Sequence, residues 1–317
     1  MPAIEVRDLR KRYGELEAVR GISFEVEQGE VFALLGPNGA GKTTTVEILE
    51  GYRRRDGGQV SVLGHDPGHA DSELRARIGI VLQSTGVDPF LTVAETIELY
   101  RGYYPHPRPL DEIVEVVGLQ AKRDTRVNKL SGGQQRRLDV AVALSGDPEL
   151  LFLDEPTTGF DPGARRNAWQ MVHNLQSLGK TVLLTTHYMD EAQELAQRVA
   201  IIAQGVIVAE GAPSTLAGRD VAATIIRFRM PAAVIMKEAL FDQIAVRDGW
   251  GEIRTEHPTR VLNELTGWAV ERALELEGLS VARPSLEDVY LQLTGGTEQS
   301  EDAEPAAAGG GRGKRRG

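Results

Sequence analysis

Gly36-Pro37-Asn38-Gly39-Ala40-Gly41-Lys42-Thr43-Thr44 constrains this chain more than any other stretch. It fits the spacing G-x-x-x-x-G-K-[ST]. The apolar run Val31-Phe32-Ala33-Leu34-Leu35 precedes it and Val46-Glu47-Ile48-Leu49 follows, so the order reads strand, glycine loop, helix. In that setting the glycines let the backbone bend until successive N–H groups face one anion. The helix adds its positive N-terminal end. Lys42 places a point charge on the outer phosphates of a nucleotide, and the Thr43 hydroxyl is available to a phosphate-bound Mg²⁺.

At 317 residues the chain is long enough for about two domains. Its net charge of −10 leaves no basic surplus to neutralise a phosphate backbone, so no nucleic-acid partner is expected. With no cysteine, a disulfide scaffold and a thiolate zinc site are excluded. No apolar run approaches the ~18 residues of a membrane span, and Met1 to Glu5 lacks the apolar core of a signal peptide. The expectation is a soluble chain whose membrane role, if any, comes through a partner.

Taken in order, residues 3–9 and 22–26 alternate as antiparallel strands, with Gly14, Gly21 and Gly29 as punctuation. Tyr13 reads from spacing alone as an ordinary surface aromatic. Arg53-Arg54-Arg55 reads as a solvated helix end before the turn Asp56-Gly57-Gly58. Strands are expected at 60–63 and 78–82, the second ending at Gln83. Helices follow at 92–100 and 111–117, so that about 84–146 forms a helical insertion in an α/β chain.

That insertion ends in Leu130-Ser131-Gly132-Gly133-Gln134. Ser131 and Gln134 fit a capping box, and Leu138, Ala141, Val142 and Leu144 give the helix its apolar face. Gly132 and Gly133 are poor helix formers for a first turn, yet they bare the N–H groups to a phosphate. The chain thus carries two helix N-termini suited to anions.

The wholly apolar run 150–153 predicts a central parallel strand beside the P-loop strand, ending in Asp154-Glu155. Alternation along the strand would turn one carboxylate to Mg²⁺ and the next to an attacking water. A loop over 157–162, a helix over 163–178, a strand over 180–186 ending at His187, a helix over 189–198 and a hairpin over 199–210 complete the pattern. Repeated strand–helix–strand units argue for a largely parallel sheet and a P-loop α/β fold. Residues 222–229 and the region of Val281 read as strands, and 234–240 and 259–276 as amphipathic stretches. The tail from 296 to 317, ending Arg312-Gly313-Lys314-Arg315-Arg316, is expected to be disordered.

With these motifs placed, their order over about residues 4–211 resembles that of the ATP-binding cassette (ABC) transporter ATPase subunits. The resemblance implies a P-loop NTPase core with an antiparallel β subdomain, a helical subdomain and a small α+β C-terminal region. It makes Gly36 to Thr44 the Walker A loop and Tyr13 the aromatic that stacks on adenine. Gln83 becomes the loop glutamine that reaches Mg²⁺ and senses the membrane partner. It makes Leu130 to Gln134 the signature LSGGQ, Asp154 the Walker B carboxylate at Mg²⁺ and Glu155 the catalytic base. It sets Asp161 in the loop that joins two subunits and His187 as the switch histidine on the γ-phosphate. Phe160 stands where the family usually has leucine.

The resemblance further implies ATP and Mg²⁺ as ligands and a head-to-tail pair of copies. The region 217–295, with Pro284-Ser285-Leu286-Glu287-Asp288-Val289-Tyr290, resembles the accessory region of ABC-2 type exporters, especially the daunorubicin-resistance group. An ABC-2 type permease as partner, drug or lipid-like efflux, and a peripheral place on the cytoplasmic side of the membrane follow from it. ABC importers, soluble ABC ATPases acting on nucleic acid or ribosomes, and simple nucleotide kinases are the rival classes. A kinase has no use for LSGGQ, and the soluble types carry paired cassettes or long coiled coils that this sequence lacks.

Overall fold

The computed structural model of the chain describes residues 1–69, 72–81, 86–218, 223–230 and 244–294. It opens with the antiparallel strands β1 (Ile4–Tyr13) and β2 (Leu16–Val26), joined at Gly14. Both run further than the apolar alternation predicts. Their outer ends carry charged side chains and are held by backbone pairing rather than by a buried face. β3 (Val31–Leu35) leads into α1 (Lys42–Leu49), and β4 (Gly57–Val62) pairs with the far side of β1.

The arginine trio is not a helix end. α1 stops at Leu49, Arg53 pairs with Glu47 at 2.5 Å, and Arg55 forks onto both carboxylate oxygens of Asp66 at 2.7 Å. A short helix, α2 (Ser72–Arg77), occupies a polar stretch with no apolar period, and β5 (Ile78–Val81) follows. The described part of the insertion, 86–146, contains α3 (Val93–Arg101), α4 (Leu110–Val116) and α5 (Gly132–Leu144) and no strand.

The chain then alternates through β6 (Leu150–Asp154), α6 (Pro162–Ser177), β7 (Thr181–Thr186), α7 (Met189–Leu195), β8 (Arg198–Ala203) and β9 (Val206–Gly211). α7 is shorter than the sequence pattern suggests, because Arg198 opens β8 and pairs with Glu30. β8 and β9 form the expected hairpin, turning at Gln204-Gly205 with positive φ at both.

The main sheet has the order β5-β6-β7-β3-β8-β9, parallel except for its last pair. This corrects the expected placement of the 150–153 strand beside the P-loop strand, since β7 lies between them. The short crossover through α6 seats β7 next to β6, on the side facing β3. Alternate residues feed two cores. Val31, Ala33, Leu35, Leu151 and Leu153 face the helices, while Phe32, Leu34, Leu150 and Phe152 face α1 and the three-stranded sheet β2-β1-β4.

Beyond residue 223 come β10 (Thr224–Arg229), β11 (Ala245–Arg247), β12 (Trp250–Thr255), α8 (Pro258–Glu271), β13 (Ser280–Ala282) and α9 (Leu286–Thr294). They build an antiparallel sheet, β11-β12-β10-β13. The β11–β12 hairpin is absent from the sequence reading although Asp248-Gly249 is a strong hairpin signal. α8 ends at Glu271, before the predicted 276, with Ala273 at φ 53. Leu286 and Val289 of α9 return to the main core with Ala192, Leu195 and Leu216. The amphipathic stretch 234–240 and the tail 296–317 lie outside the described residues. No helix among the described residues is long and apolar enough to cross a membrane.

Candidate nucleotide site

The loop between β3 and α1 does what its sequence demands. Gly41 stands at φ 105 as the residue before the helix, and a Cβ there would lie 2.5 Å from the Ala18 carbonyl oxygen. Lys42 opens α1, is 4 % exposed, and its Nζ donates to the Gly36 and Pro37 carbonyls at 2.7 and 3.1 Å. Burial pulls its pKa down, and the nearby carboxylates of Glu155 and Asp154 work against that fall. Thr43 and Thr44 follow on the first turn, with Thr43 exposed at the mouth of the loop.

Asp154 closes β6 with the parity of Leu150 and Phe152, which is the α1 side of the sheet. Its Oδ1 accepts a 2.5 Å hydrogen bond from Thr185 on β7. Glu155 departs from plain alternation. Its φ is +45, and this left-handed step swings the carboxylate to 3.7 Å from Lys42 Nζ and 3.4 Å from His187 Nδ1. The Thr158 hydroxyl donates to its other oxygen at 3.1 Å. His187 sits just past β7, its ring tilted 41° against that of Tyr188 with centroids 4.0 Å apart. Lys42, Asp154, Glu155 and His187 are thus one cluster at the carboxyl ends of adjacent strands, where open α/β sheets bind ligands.

Ser131 to Gln134 lie elsewhere. Ser131 caps α5 by the reciprocal bonds of a capping box with Gln134, as its spacing predicts. The bare first turn of α5, through Ser131, Gly132 and Gly133, lines a cleft of about 750 Å³ with Glu155, Phe160 and Asp161, and no P-loop residue borders it. Asp161 caps α6, accepting from the N–H groups of Gly163 and Ala164 at 2.8 and 2.9 Å. Tyr13 ends β1, 38 % exposed, with the Arg53 guanidinium 5.2 Å from its ring centroid. Gln83 lies outside the described residues.

Three residues that motif reading misses support this cluster. The Thr185 hydroxyl holds Asp154 and also accepts from the Glu155 N–H at 3.0 Å. Arg136 of α5 is buried and donates to the Asp154 carbonyl at 2.6 Å. Glu191 is fully buried in α7 and accepts from Thr157 Oγ1 at 2.8 Å, while burial raises its pKa. A fourth, Glu50 at the end of α1, has its pKa raised to about 8 by burial, then by Asp154 and Glu47. The hydroxyl of Thr43 and the carboxylate of Asp154 are hard oxygen donors of the kind Mg²⁺ takes alongside phosphate oxygens and water.

The comparisons with known proteins agree with this geometry. Residues 19–158 match the family model described as ABC transporter, and residues 224–285 match an ABC transporter domain-containing protein-like, C-terminal domain. The Nod factor export ATP-binding protein I of Paraburkholderia xenovorans (strain LB400) is 38 % identical over 92 % of this chain and 97 % of its own. A dimeric ATP-binding cassette in a post-hydrolysis state, bound to ADP and Pi, superposes at a TM-score of 0.58 with 26 % identity, covering 66 % of this chain and 98 % of that one. An ATP-binding subunit of an ABC transporter matches in fold over 92 % of this chain and 99 % of its own, at a TM-score of 0.63 and 21 % identity. The chain belongs to the ABC transporter family as an ATP-binding subunit, an ATPase whose hydrolysis is coupled to transport.

Proposed function

We propose that this chain drives an ABC exporter of the ABC-2, daunorubicin-resistance-like type, as one of two identical head-to-tail ATPase subunits beneath a separate membrane permease. The observation that carries the pairing is the separation of two anion-ready helix ends in one chain. The P-loop end of α1 sits with Glu155 and His187, and the Ser131 end of α5 opens on a cleft that shares Glu155 but that no P-loop residue borders. A nucleotide held by Lys42 would then meet a signature helix on another copy. Export is supported by the relative named for Nod factor export, which aligns with both the ATPase part and the C-terminal region. Drug or lipid-like cargo and a peripheral position on the cytoplasmic side of the membrane belong to the same reading. So does a division into an ATPase domain (1–216, with its helical insertion at 84–146), an accessory domain (217–295) and a tail (296–317).

The chemistry is in-line attack of water on the γ-phosphate. Asn38, Gly39 and Gly41 present backbone N–H groups to the phosphates, Gly36, Pro37 and Ala40 set the bend of the loop, and Lys42 neutralises charge that develops on the outer phosphates. Thr43 and Asp154, with Gln83, would hold Mg²⁺, which supplies charge neutralisation between the phosphates when bound. Glu155 orients or deprotonates the water, His187 steadies the γ-phosphate, and Tyr13 stacks on adenine. The partner copy's Ser131 to Gln134 closes over the triphosphate, and Asp161 lies at the seam.

Glu155→Gln tests the reading. A general base typically contributes 10²–10⁴-fold, so turnover should fall by about that factor while ATP binding persists. Gel filtration with ATP should show a stable dimer. A monomer under saturating ATP would sink the pairing, and near-normal turnover would show that Glu155 is not the base. Purification from membranes should bring down a hydrophobic permease with no nucleotide site of its own.

A further inference from the structure

The C-terminal sheet β11-β12-β10-β13 is two-faced. Ile226, Phe228 and Ile253 are buried on one side against Leu265 of α8. The other side is bordered by α9 through Asp288 and Leu291, and strand register fixes what stands there. Arg229 pairs across with Trp250, and Trp250 with Arg247, so one row runs arginine, tryptophan, arginine. The next row holds Arg227 opposite Glu252. Glu252 is a shared anchor, bonded to Arg227 at 2.9 Å and to Arg254 at 3.0 Å, which fixes both guanidinium groups.

This face is concave. It floors a cavity of about 970 Å³ whose wall is Asp288 and Leu291 of α9. The Trp250 ring packs against Gly278, where a Cβ would meet it at 2.8 Å. Arg229 and Arg247 have no carboxylate partner among the described residues. Arg227, Arg247 and Arg254 line the cavity against Asp248, Glu252 and Asp288, and because Glu252 holds Arg227 and Arg254, Arg247 is the lining cation left without a carboxylate partner among the described residues.

We propose that this cavity is a binding site for a small organic anion that carries a flat ring. The ring stacks on Trp250, and the anionic group takes a forked contact from Arg247, its cross-strand neighbour. Arg227 and Arg254, already anchored by Glu252, act as preformed donors at the cavity floor. The volume is at the upper end for a small-ligand pocket, and the chain's overall negative charge disfavours an extended polyanion.

The test is calorimetric titration of the full chain with naphthalene-2-carboxylate, in excess ADP so that the nucleotide site is filled. Saturable binding is expected, with naphthalen-2-ol and acetate each at least about tenfold weaker, the loss of one stacking or one charge-assisted contact. Arg247→Glu and Trp250→Ala should each weaken it by about tenfold or more. Trp250→Leu, which keeps an apolar side chain but removes the flat ring, provides a second variant if Trp250→Ala fails to fold. Absence of binding, equal affinity in the folded variants, or preference for a single-stranded oligonucleotide over the aryl carboxylate would each overturn the proposal.

Discussion

Thr185 Oγ donates to Asp154 Oδ1 at 2.5 Å, and the same oxygen accepts the Glu155 N–H at 3.0 Å. One hydroxyl on β7 therefore fixes both acidic residues at the end of β6, the first through its side chain and the second through its backbone. That matters because Glu155 is held at a positive φ, a conformation that costs a non-glycine residue of order 1–3 kcal/mol and needs support from its surroundings. Thr185→Val keeps the shape and removes both bonds. We expect kcat to fall about 10- to 100-fold with ATP affinity changed less than about threefold, and Thr185→Ser to restore most of the loss. Normal turnover in the Val variant with a loss in the Ser variant would show that the methyl packing, not the hydroxyl, is what counts.

Glu50 gives the stability a pH dependence of predictable sign. Its carboxyl, buried and facing Asp154 and Glu47, titrates near 8 when folded against an ordinary 4.5. The unfolded chain then binds fewer protons than the folded one between those values, so this group's contribution is intact below about pH 4.5 and declines as pH rises to about 8. Each unit of such a shift is worth ~1.4 kcal/mol at most, and water reaching a partly buried group reduces it. Glu50→Gln should therefore gain stability over the wild type by ~1–3 kcal/mol at pH 8 and little at pH 5, in chemical denaturation without nucleotide. A constant difference across that range would refute the assignment.

Arg136 joins the signature helix to the carboxylate strand. Its guanidinium is buried, donates to the Asp154 carbonyl at 2.6 Å and lies 4.0 Å from Asp139, with burial lowering its pKa. Removing one partner of a buried charged pair typically costs about 3–5 kcal/mol, because the other charge stays buried. Arg136→Met should thus lower the melting temperature, since Asp139 loses this cation, and lower kcat about tenfold because Asp154 is no longer tied to α5. A variant with normal turnover would show that this strut is structural only.

What the sequence makes legible follows from how local each signal is. Gly36 to Thr44, Ser131 to Gln134 and the pair Asp154-Glu155 are contiguous, and each dictates its own turn, cap or strand end. Thr185, Arg136 and Glu191 were invisible because their partners lie 30, 18 and 34 residues away in sequence. No spacing rule connects such distances. The strand order failed for a related reason, since an apolar run shows that a strand is central but not which neighbour it takes. Arg53 reads as a helix end only if its partners are ignored, and Glu47 and the Tyr13 ring claim it instead.

The paired glycines of α5 separate internal from external demand. A Cβ on Gly133 would stand 3.1 Å from the Ala164 Cβ at the start of α6, so a side chain there would crowd α6. A Cβ on Gly132 would meet nothing within 4 Å. Since glycine costs a helix roughly 0.5–1 kcal/mol relative to alanine, nothing among the described residues explains Gly132. Its absent side chain makes sense only if something outside approaches that turn. Gly132→Ala should then keep or slightly raise the melting temperature while cutting ATP-dependent dimerisation and turnover, and ATP binding to the monomer should persist. Gly133→Ala should lower the melting temperature as well. Normal ATPase in Gly132→Ala would mean that no second copy closes on this helix end.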